Sequence, residues 1–221
     1  MMLRMSVIEG VQAAQARLDA AVALGAVVCR DDQAALAQAA ALDAEVPRRQ
    51  LAGLAITIKD WIDVAGLACE GEALERTGRM PERDATAVAR LRAAVAIVIA
   101  KTQPGAEHPI HGRCHHPLDA ERTPGGSSSG EAALIGAGAS LVGLGSDSGG
   151  SICSSTSTAS CAMMRIFSIP ASPARLSKAP TPGSCTSQHT KFTSGSTCAI
   201  CAVVSPMPKP ISSTVLRGVS L

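Results

Sequence analysis

The distribution of acidic residues limits where this chain can build a packed core. All 18 Asp and Glu residues lie between residues 1 and 151, and none lies in 152–221. An ordinary globular segment is about one quarter charged, with roughly half of those residues acidic. The terminal segment is instead a mixture of Ser, Thr, Pro and Cys without helical or strand periodicity. We therefore expect a folded region at 1–152 and a disordered tail at 153–221.

Helical and strand patterns alternate along the first region. Ser6 and Glu9 form a capping box at the start of the first helix, and Asp84 is placed to cap the third. Apolar spacing predicts helices over 6–24, 32–45, 84–95 and 131–139, and strands over 54–59, 96–100 and 141–144. This alternation predicts an α/β fold with a mixed, largely parallel sheet flanked by helices.

Three short stretches carry residues that suit nucleophilic catalysis. Lys59 ends the apolar strand "LAITIK", Ser127 to Ser129 lie in a glycine-rich loop, and Ser151 follows a glycine pair. A serine hydroxyl needs a base to become a good nucleophile, and lysine acts as one only when it is neutral. Consecutive glycines let several backbone N–H groups converge on an oxyanion. The alternative interpretation is a pair of ordinary glycine turns and an unrelated surface lysine.

Two of these stretches resemble a known family. The segments "TPGGSSSGEAALIGAGASLVGLGSDSGGSI" (123–152) and "LAGLAITIKDWIDVAG" (51–66) are similar to the signature and the lysine segment of the amidase signature family. The resemblance covers most of residues 6–152. It implies the fold of that family and a Ser–Ser–Lys triad that cleaves amides through an acyl-enzyme.

The resemblance assigns a role to each matching residue. Ser151 is the expected nucleophile, and Ser127 is the expected bridging serine, preceded by a cis peptide bond. Lys59 is the expected general base, acting through Ser127. The expected oxyanion hole consists of the backbone N–H groups of Ser148, Gly149, Gly150 and Ser151, and the expected supporting residues are Ser128 and Asp147.

The function implied is hydrolysis of a small carboxamide or aryl amide. One alternative is an amidotransferase subunit that releases ammonia from glutamine for a partner acting on tRNA. Another is a non-catalytic fragment or pseudoenzyme. The expected ligand is a small-molecule amide, with no cofactor, no metal and no membrane, and nucleic acid only in the amidotransferase case. The sequence chooses neither a substrate nor an oligomeric state.

Other motifs favour less specific interpretations. The "GGSSSGE" loop lacks the Gly-Lys-Ser/Thr ending of a phosphate-binding P-loop. The segment 108–116, "HPIHGRCHH", offers His and Cys side chains to a metal, but a polar loop is the simpler interpretation. Cys198 and Cys201 form a lone C-x-x-C pair. The six basic residues of the tail are spread singly, which does not favour nucleic-acid binding.

The resemblance stops abruptly after Ile152. Cys153 stands where the family has arginine, and the acidic residues end at the same point. We interpret this break as a frameshift or similar coding error, and we expect little or no activity from the chain by itself. The N-terminus lacks the apolar core of a signal peptide, and no stretch approaches the roughly 18 apolar residues of a membrane span. Cytoplasmic localisation is therefore expected.

Overall fold

The computed structural model describes residues 5–45 and 51–147, together with the backbone of 165–169 and 199–204. Its helices are α1 (Val7–Ala20), α2 (Asp32–Glu45), α3 (Thr86–Ala93) and α4 (Ser129–Gly136). Its strands are β1 (Val27–Cys29), β2 (Ala55–Lys59), β3 (Ile97–Thr102), β4 (Glu107–His108), β5 (Gly112–Arg113), β6 (Val142–Asp147), β7 (Arg165–Ile169) and β8 (Ala199–Val204).

One six-stranded sheet organises these elements, in the order β1-β3-β2-β6-β8-β7. The central strand β2 runs parallel to both β3 and β6. Strand β1 is antiparallel to β3, and β8 is antiparallel to both β6 and β7. Strands β4 and β5 form a separate two-stranded hairpin. The predicted α/β fold with a mixed, largely parallel centre is confirmed.

Alternation along the strands divides the core between the two faces of the sheet. Ile56 and Ile58 of β2 are buried against Val88 and Leu91 of α3. The opposite face carries a second cluster, in which residues of β3 pack with α1, α2 and α4. Because side chains at i and i+2 share a face, Thr57 and Lys59 point away from Ile56 and Ile58. Lys59 therefore lies on the face covered by α4.

The predicted helix starts are only partly correct. The capping box of α1 is present, with the Glu9 amide donating to Ser6 Oγ and the Ser6 amide donating to Glu9 Oε2. The prediction that Asp84 caps α3 is wrong, because Ala85 precedes that helix without a side-chain cap. Asp84 instead accepts bonds from the Ala65 amide and the Arg92 guanidinium. It ties α3 to the loop after β2.

Several strands were not predicted from the sequence. Strand β1 and the β4–β5 hairpin are too short to show an alternating pattern. In the tail, β7 and β8 contain apolar and β-branched residues that suit strands. The rest of the tail lies outside the described residues. In the part of the chain that the structure describes, no helix is both long and apolar enough to cross a membrane.

Candidate functional site at the carboxyl ends of the parallel strands

Three parallel strands end at the same edge of the sheet. Strand β2 ends at Lys59, β3 at Thr102 and β6 at Asp147. Lys59 is paired directly with Thr102, and β6 is in register beside β2. In open α/β sheets, ligands bind at this carboxyl edge. The strand order therefore brings the predicted lysine to the same edge of the sheet as Asp147, the last residue of β6.

Lys59 and Ser127 meet at this edge. Lys59 is only 1% exposed, although it carries an amine. Its Nζ donates a hydrogen bond of 2.8 Å to Ser127 Oγ. The residues are 68 positions apart in sequence, so the fold alone creates this contact. The bond is the contact that a lysine acting through a bridging serine requires.

The serine loop is anchored on both sides. The peptide bond between Gly126 and Ser127 is cis. Ser128 Oγ donates to the Ser146 carbonyl at 3.3 Å, which ties the loop to the end of β6. The Ser129 hydroxyl donates to the Gly125 carbonyl within the loop. Both anchors hold Ser127 over the end of β2.

Gly130 lets the first turn of α4 approach the end of β3. Its amide donates to the Gln103 carbonyl at 2.9 Å. A Cβ at this position would lie 2.5 Å from the Gln103 amide nitrogen and 2.6 Å from the Ala26 carbonyl oxygen. Side-chain atoms do not occupy such distances, so any residue larger than glycine would displace the helix and its serine loop.

A buried ion pair fixes the chain that follows Lys59. Lys101 Nζ and Asp60 Oδ1 are 2.7 Å apart, and both side chains are 0% exposed. Asp60 Oδ2 also accepts the Glu70 and Gly71 amides, each at 2.9 Å. The pair was not identified from the sequence. The available signal was a charged residue at the end of each of two apolar strands.

Glu131 is the second group that sequence reasoning missed, since the sequence placed it only at the start of α4. Its carboxyl is 1% exposed and accepts the Thr57 hydroxyl at 2.6 Å and the Thr102 hydroxyl at 2.9 Å. Burial raises the pKa of Glu131 to about 7, against the opposing effect of the two hydroxyls and of Lys59. It is the only charged residue of α4, whose other residues are apolar or small, and this was the signal available.

The predicted oxyanion hole and nucleophile follow Asp147 directly in the sequence. Ser148, Gly149, Gly150 and Ser151 lie outside the described residues. Asp147, the expected supporting residue before them, ends β6 and is partly buried. The structure thus brings together Lys59, Ser127 and Ser128, and the assignment of Ser151 stays a prediction.

Two histidines of the segment 108–116 form hydrogen bonds with the loop that contains Glu70 and Glu72. His108 Nε2 accepts the Glu72 amide at 3.2 Å, and His111 Nε2 lies 2.7 Å from Glu70 Oε2. Burial raises the pKa of the Cys114 thiol to about 12. Among residues 5–45 and 51–147, no cluster of three or more His, Cys, Asp or Glu side chains is placed to hold a metal ion.

Known proteins are similar to part of this chain in sequence. The sequence profile of the family named Amidase matches residues 9–191, a range that extends past Ile152 into the tail. The glutamyl-tRNA(Gln) amidotransferase of Oleidesulfovibrio alaskensis has an A subunit that is 36% identical over 165 residues, covering 69% of this chain and 34% of that protein. The corresponding protein of Methanococcoides burtonii is 43% identical over 111 residues, covering 46% and 23%.

Solved amidase structures superpose on the same region. The native peptide amidase of Stenotrophomonas maltophilia matches with a TM-score of 0.67 and 28% identity, covering 75% of this chain and 37% of that one. A second amidase crystal structure matches with a TM-score of 0.62 and 33% identity, covering 69% and 38%.

The fold and the edge site define an α/β protein built like the known amidases. The extent of the profile match then identifies the family: this chain belongs to the Amidase family. The chain spans about a third of the length of the first curated relative it matches.

Proposed function

We propose that this chain carries the catalytic part of an amide hydrolase that acts through Ser151, Ser127 and Lys59. The observation that carries the proposal is the 2.8 Å hydrogen bond between Lys59 Nζ and Ser127 Oγ at the carboxyl edge of the sheet. Membership of the Amidase family supports the same chemistry. The substrate class is a small carboxamide or aryl amide.

The proposed first step forms an acyl-enzyme. The neutral Lys59 amine takes a proton from the Ser127 hydroxyl, and Ser127 takes one from Ser151. Ser151 Oγ attacks the amide carbonyl, and the backbone N–H groups of 148–151 stabilise the resulting oxyanion. The proton returns through Ser127 to the leaving nitrogen as the C–N bond breaks, which releases ammonia or an amine.

The proposed second step releases the acid. Water loses a proton through Ser127 to Lys59 and attacks the acyl carbonyl. The ester bond then breaks, and the proton returns from Lys59 through Ser127 to the leaving Ser151 oxygen, which releases the acid and restores both groups. Burial of Lys59 supports this role, because removal from water favours the neutral amine.

We further propose that the tail after Ile152 is translated from another reading frame and that the chain alone is a poor catalyst. The supporting observation is that all 18 acidic residues precede residue 152. Resequencing the coding DNA around codons 145 to 165 tests the proposed change of reading frame. A frame that restores Ser-Ile-Arg and a long open continuation supports it, and the absence of such a frame contradicts it.

Labelling with a fluorophosphonate tests the catalytic assignment. The full chain is incubated with the probe for hours, and intact-mass and peptide spectra measure the labelled fraction at each serine. We expect slow labelling at Ser151 that disappears in Ser151→Ala and persists in the control Ser160→Ala. Labelling that is absent, or that survives Ser151→Ala, contradicts the assignment. Rapid and complete labelling at Ser151 supports the assignment but contradicts the low activity.

A second candidate is a subunit of an amidotransferase. The observation that favours it is the identity of the curated relatives, which are A subunits of glutamyl-tRNA(Gln) amidotransferases. Affinity purification of the tagged chain from its own host tests it. Co-purification of further amidotransferase subunits and tRNA supports this candidate, whereas isolation of the chain without them supports the hydrolase.

A further inference from the structure

The Glu131 carboxyl occupies a niche on the face of the sheet that carries Lys59. Thr57, which donates to Glu131 Oε2, precedes Lys59 by two residues on β2 and so shares its face. Thr102, which donates to Glu131 Oε1, is paired directly with Lys59 on β3. The carboxyl is therefore bound by one residue of the lysine's own strand and by the residue paired with the lysine on the adjacent strand.

The third strand leaves space for this carboxyl. Gly143 of β6 is paired with Thr57. A Cβ at Gly143 would overlap Glu131 Oε2 and would lie 2.6 Å from its Cδ and 3.1 Å from Thr57 Oγ1. The niche thus needs a threonine on each of two strands and no side chain on the third, which is a more specific requirement than filling the core would impose.

The hydrogen bonds of the niche accommodate both protonation states of Glu131. Thr57 Oγ1 lies 2.6 Å from Glu131 Oε2 and also 3.4 Å from the Val142 carbonyl. A hydroxyl has one proton and two lone pairs. When Glu131 is a carboxylate, Thr57 donates to it. When Glu131 is a neutral acid, its O–H donates to Thr57, whose own proton turns to Val142.

The charges near Glu131 single out Lys59 as its electrostatic partner. Among the charged residues on the strands beneath α4, Lys59 lies on the face that Glu131 occupies. Lys101 instead pairs with Asp60. Asp147 lies at the end of β6. The positive charge of Lys59 opposes the effect of burial, which raises the pKa of Glu131. A buried carboxylate favours the ammonium form of a nearby lysine, and a neutral acid does not.

We propose that Glu131 is a positioning residue whose charge sets the protonation state of Lys59. The proposal rests on the proposed role of Lys59 as the base acting through Ser127. As the carboxylate, Glu131 retains the proton on Lys59 and keeps the base inactive. As the neutral acid, or as glutamine, it allows the free amine to form at lower pH.

The chain is well suited to a direct test by NMR. It contains five lysines, at positions 59, 101, 178, 191 and 209. Lysine labelled with ¹³C at Cε gives one signal per residue, and Lys59→Arg assigns the signal of interest. The chemical shift of each signal is followed against pH in the wild type, in Glu131→Gln and in the control Glu121→Gln, which removes an exposed carboxyl of the same charge.

We expect the midpoint of the Lys59 titration to fall by about one pH unit or more in Glu131→Gln. The Lys101 signal and the control variant should remain as in the wild type. An unchanged Lys59 midpoint in Glu131→Gln overturns the proposal. Should that variant fail to fold, the wild type decides: its Lys59 signal should show a second inflection where Glu131 ionises, and a single inflection overturns the proposal.

The pH profile of Ser151 labelling separates this proposal from the proposed function. If Ser151 is labelled, the profile of Glu131→Gln should shift to lower pH, and an unshifted profile contradicts the role of Glu131. If no variant is labelled at Ser151, the hydrolase proposal fails. The Lys59 midpoint then still decides whether Glu131 controls the lysine.

Discussion

Removing either partner of the Asp60–Lys101 pair should destabilise the fold to different extents. Asp60→Asn retains the shape but leaves the buried Lys101 ammonium without a counter-charge. The asparagine oxygen can face either Lys101 or the amides of Glu70 and Gly71, and its NH₂ group then opposes the other donors. Because an uncompensated buried charge costs about 3–5 kcal/mol, Asp60→Asn should lose that much stability.

Lys101→Met should cost less, about 1–3 kcal/mol, because the Asp60 carboxylate keeps two backbone donors at 2.9 Å. In the double variant neither charge remains. Its cost should fall below the sum of the two single losses by about 2 kcal/mol or more, since the two side chains act as one unit.

Urea unfolding followed by far-UV circular dichroism at pH 7 measures these values. Arg122→Met is the matched control, because the Arg122 and Asp119 side chains of its ion pair are 73% and 46% exposed. Its effect should stay within about 0.5 kcal/mol. Additivity of the two single variants, or equal losses for Arg122→Met and Lys101→Met, would refute the reasoning.

Three further predictions concern packing and pH. Gly143→Ala should destabilise the chain by about 1–3 kcal/mol in the same urea assay, because its methyl group enters the space of Glu131; wild-type stability would contradict that packing. Gly10→Ala in α1 should stabilise it by about 0.5–1 kcal/mol, because no atom lies within 4 Å of the added Cβ; a loss would show an unrecognised contact. The raised pKa of Glu131, about 7 against an ordinary 4.5, means that folding takes up a proton between these pH values. The contribution of Glu131 to the free energy of unfolding is therefore complete below pH 4.5 and should be lost as pH rises towards 7. Over this range the wild type should lose about 3 kcal/mol of stability relative to Glu131→Gln; parallel curves of stability against pH for the two proteins would contradict this.

The sequence predicted the central elements because their patterns are long and regular. Strand β2, helix α2 and the capping box at Ser6 all follow from local spacing. The edge strand β1 was missed because its three residues are each partly buried and show no alternation. Asp84 was misassigned since an acidic residue before a helix has the same local sequence whether it caps that helix or bonds elsewhere.

The candidate site likewise combines residues that the sequence identified with contacts that only the fold creates. Lys59 and Ser127 were assigned from resemblance, but their contact depends on strand order and on the loop before α4. Glu131 could not be assigned a role from the sequence, because its partners Thr57 and Thr102 are 74 and 29 residues away. Its environment is created only when three strands and one helix meet.

The rate of Ser151 labelling in Ser127→Ala, Lys59→Met and the double variant tests the central claim most directly. If Lys59 acts on Ser151 only through Ser127, each single change should slow labelling greatly, and the double variant should be no slower than the slower single variant. A Ser127→Ala protein labelled at the wild-type rate, or single losses that multiply in the double variant, would contradict the account.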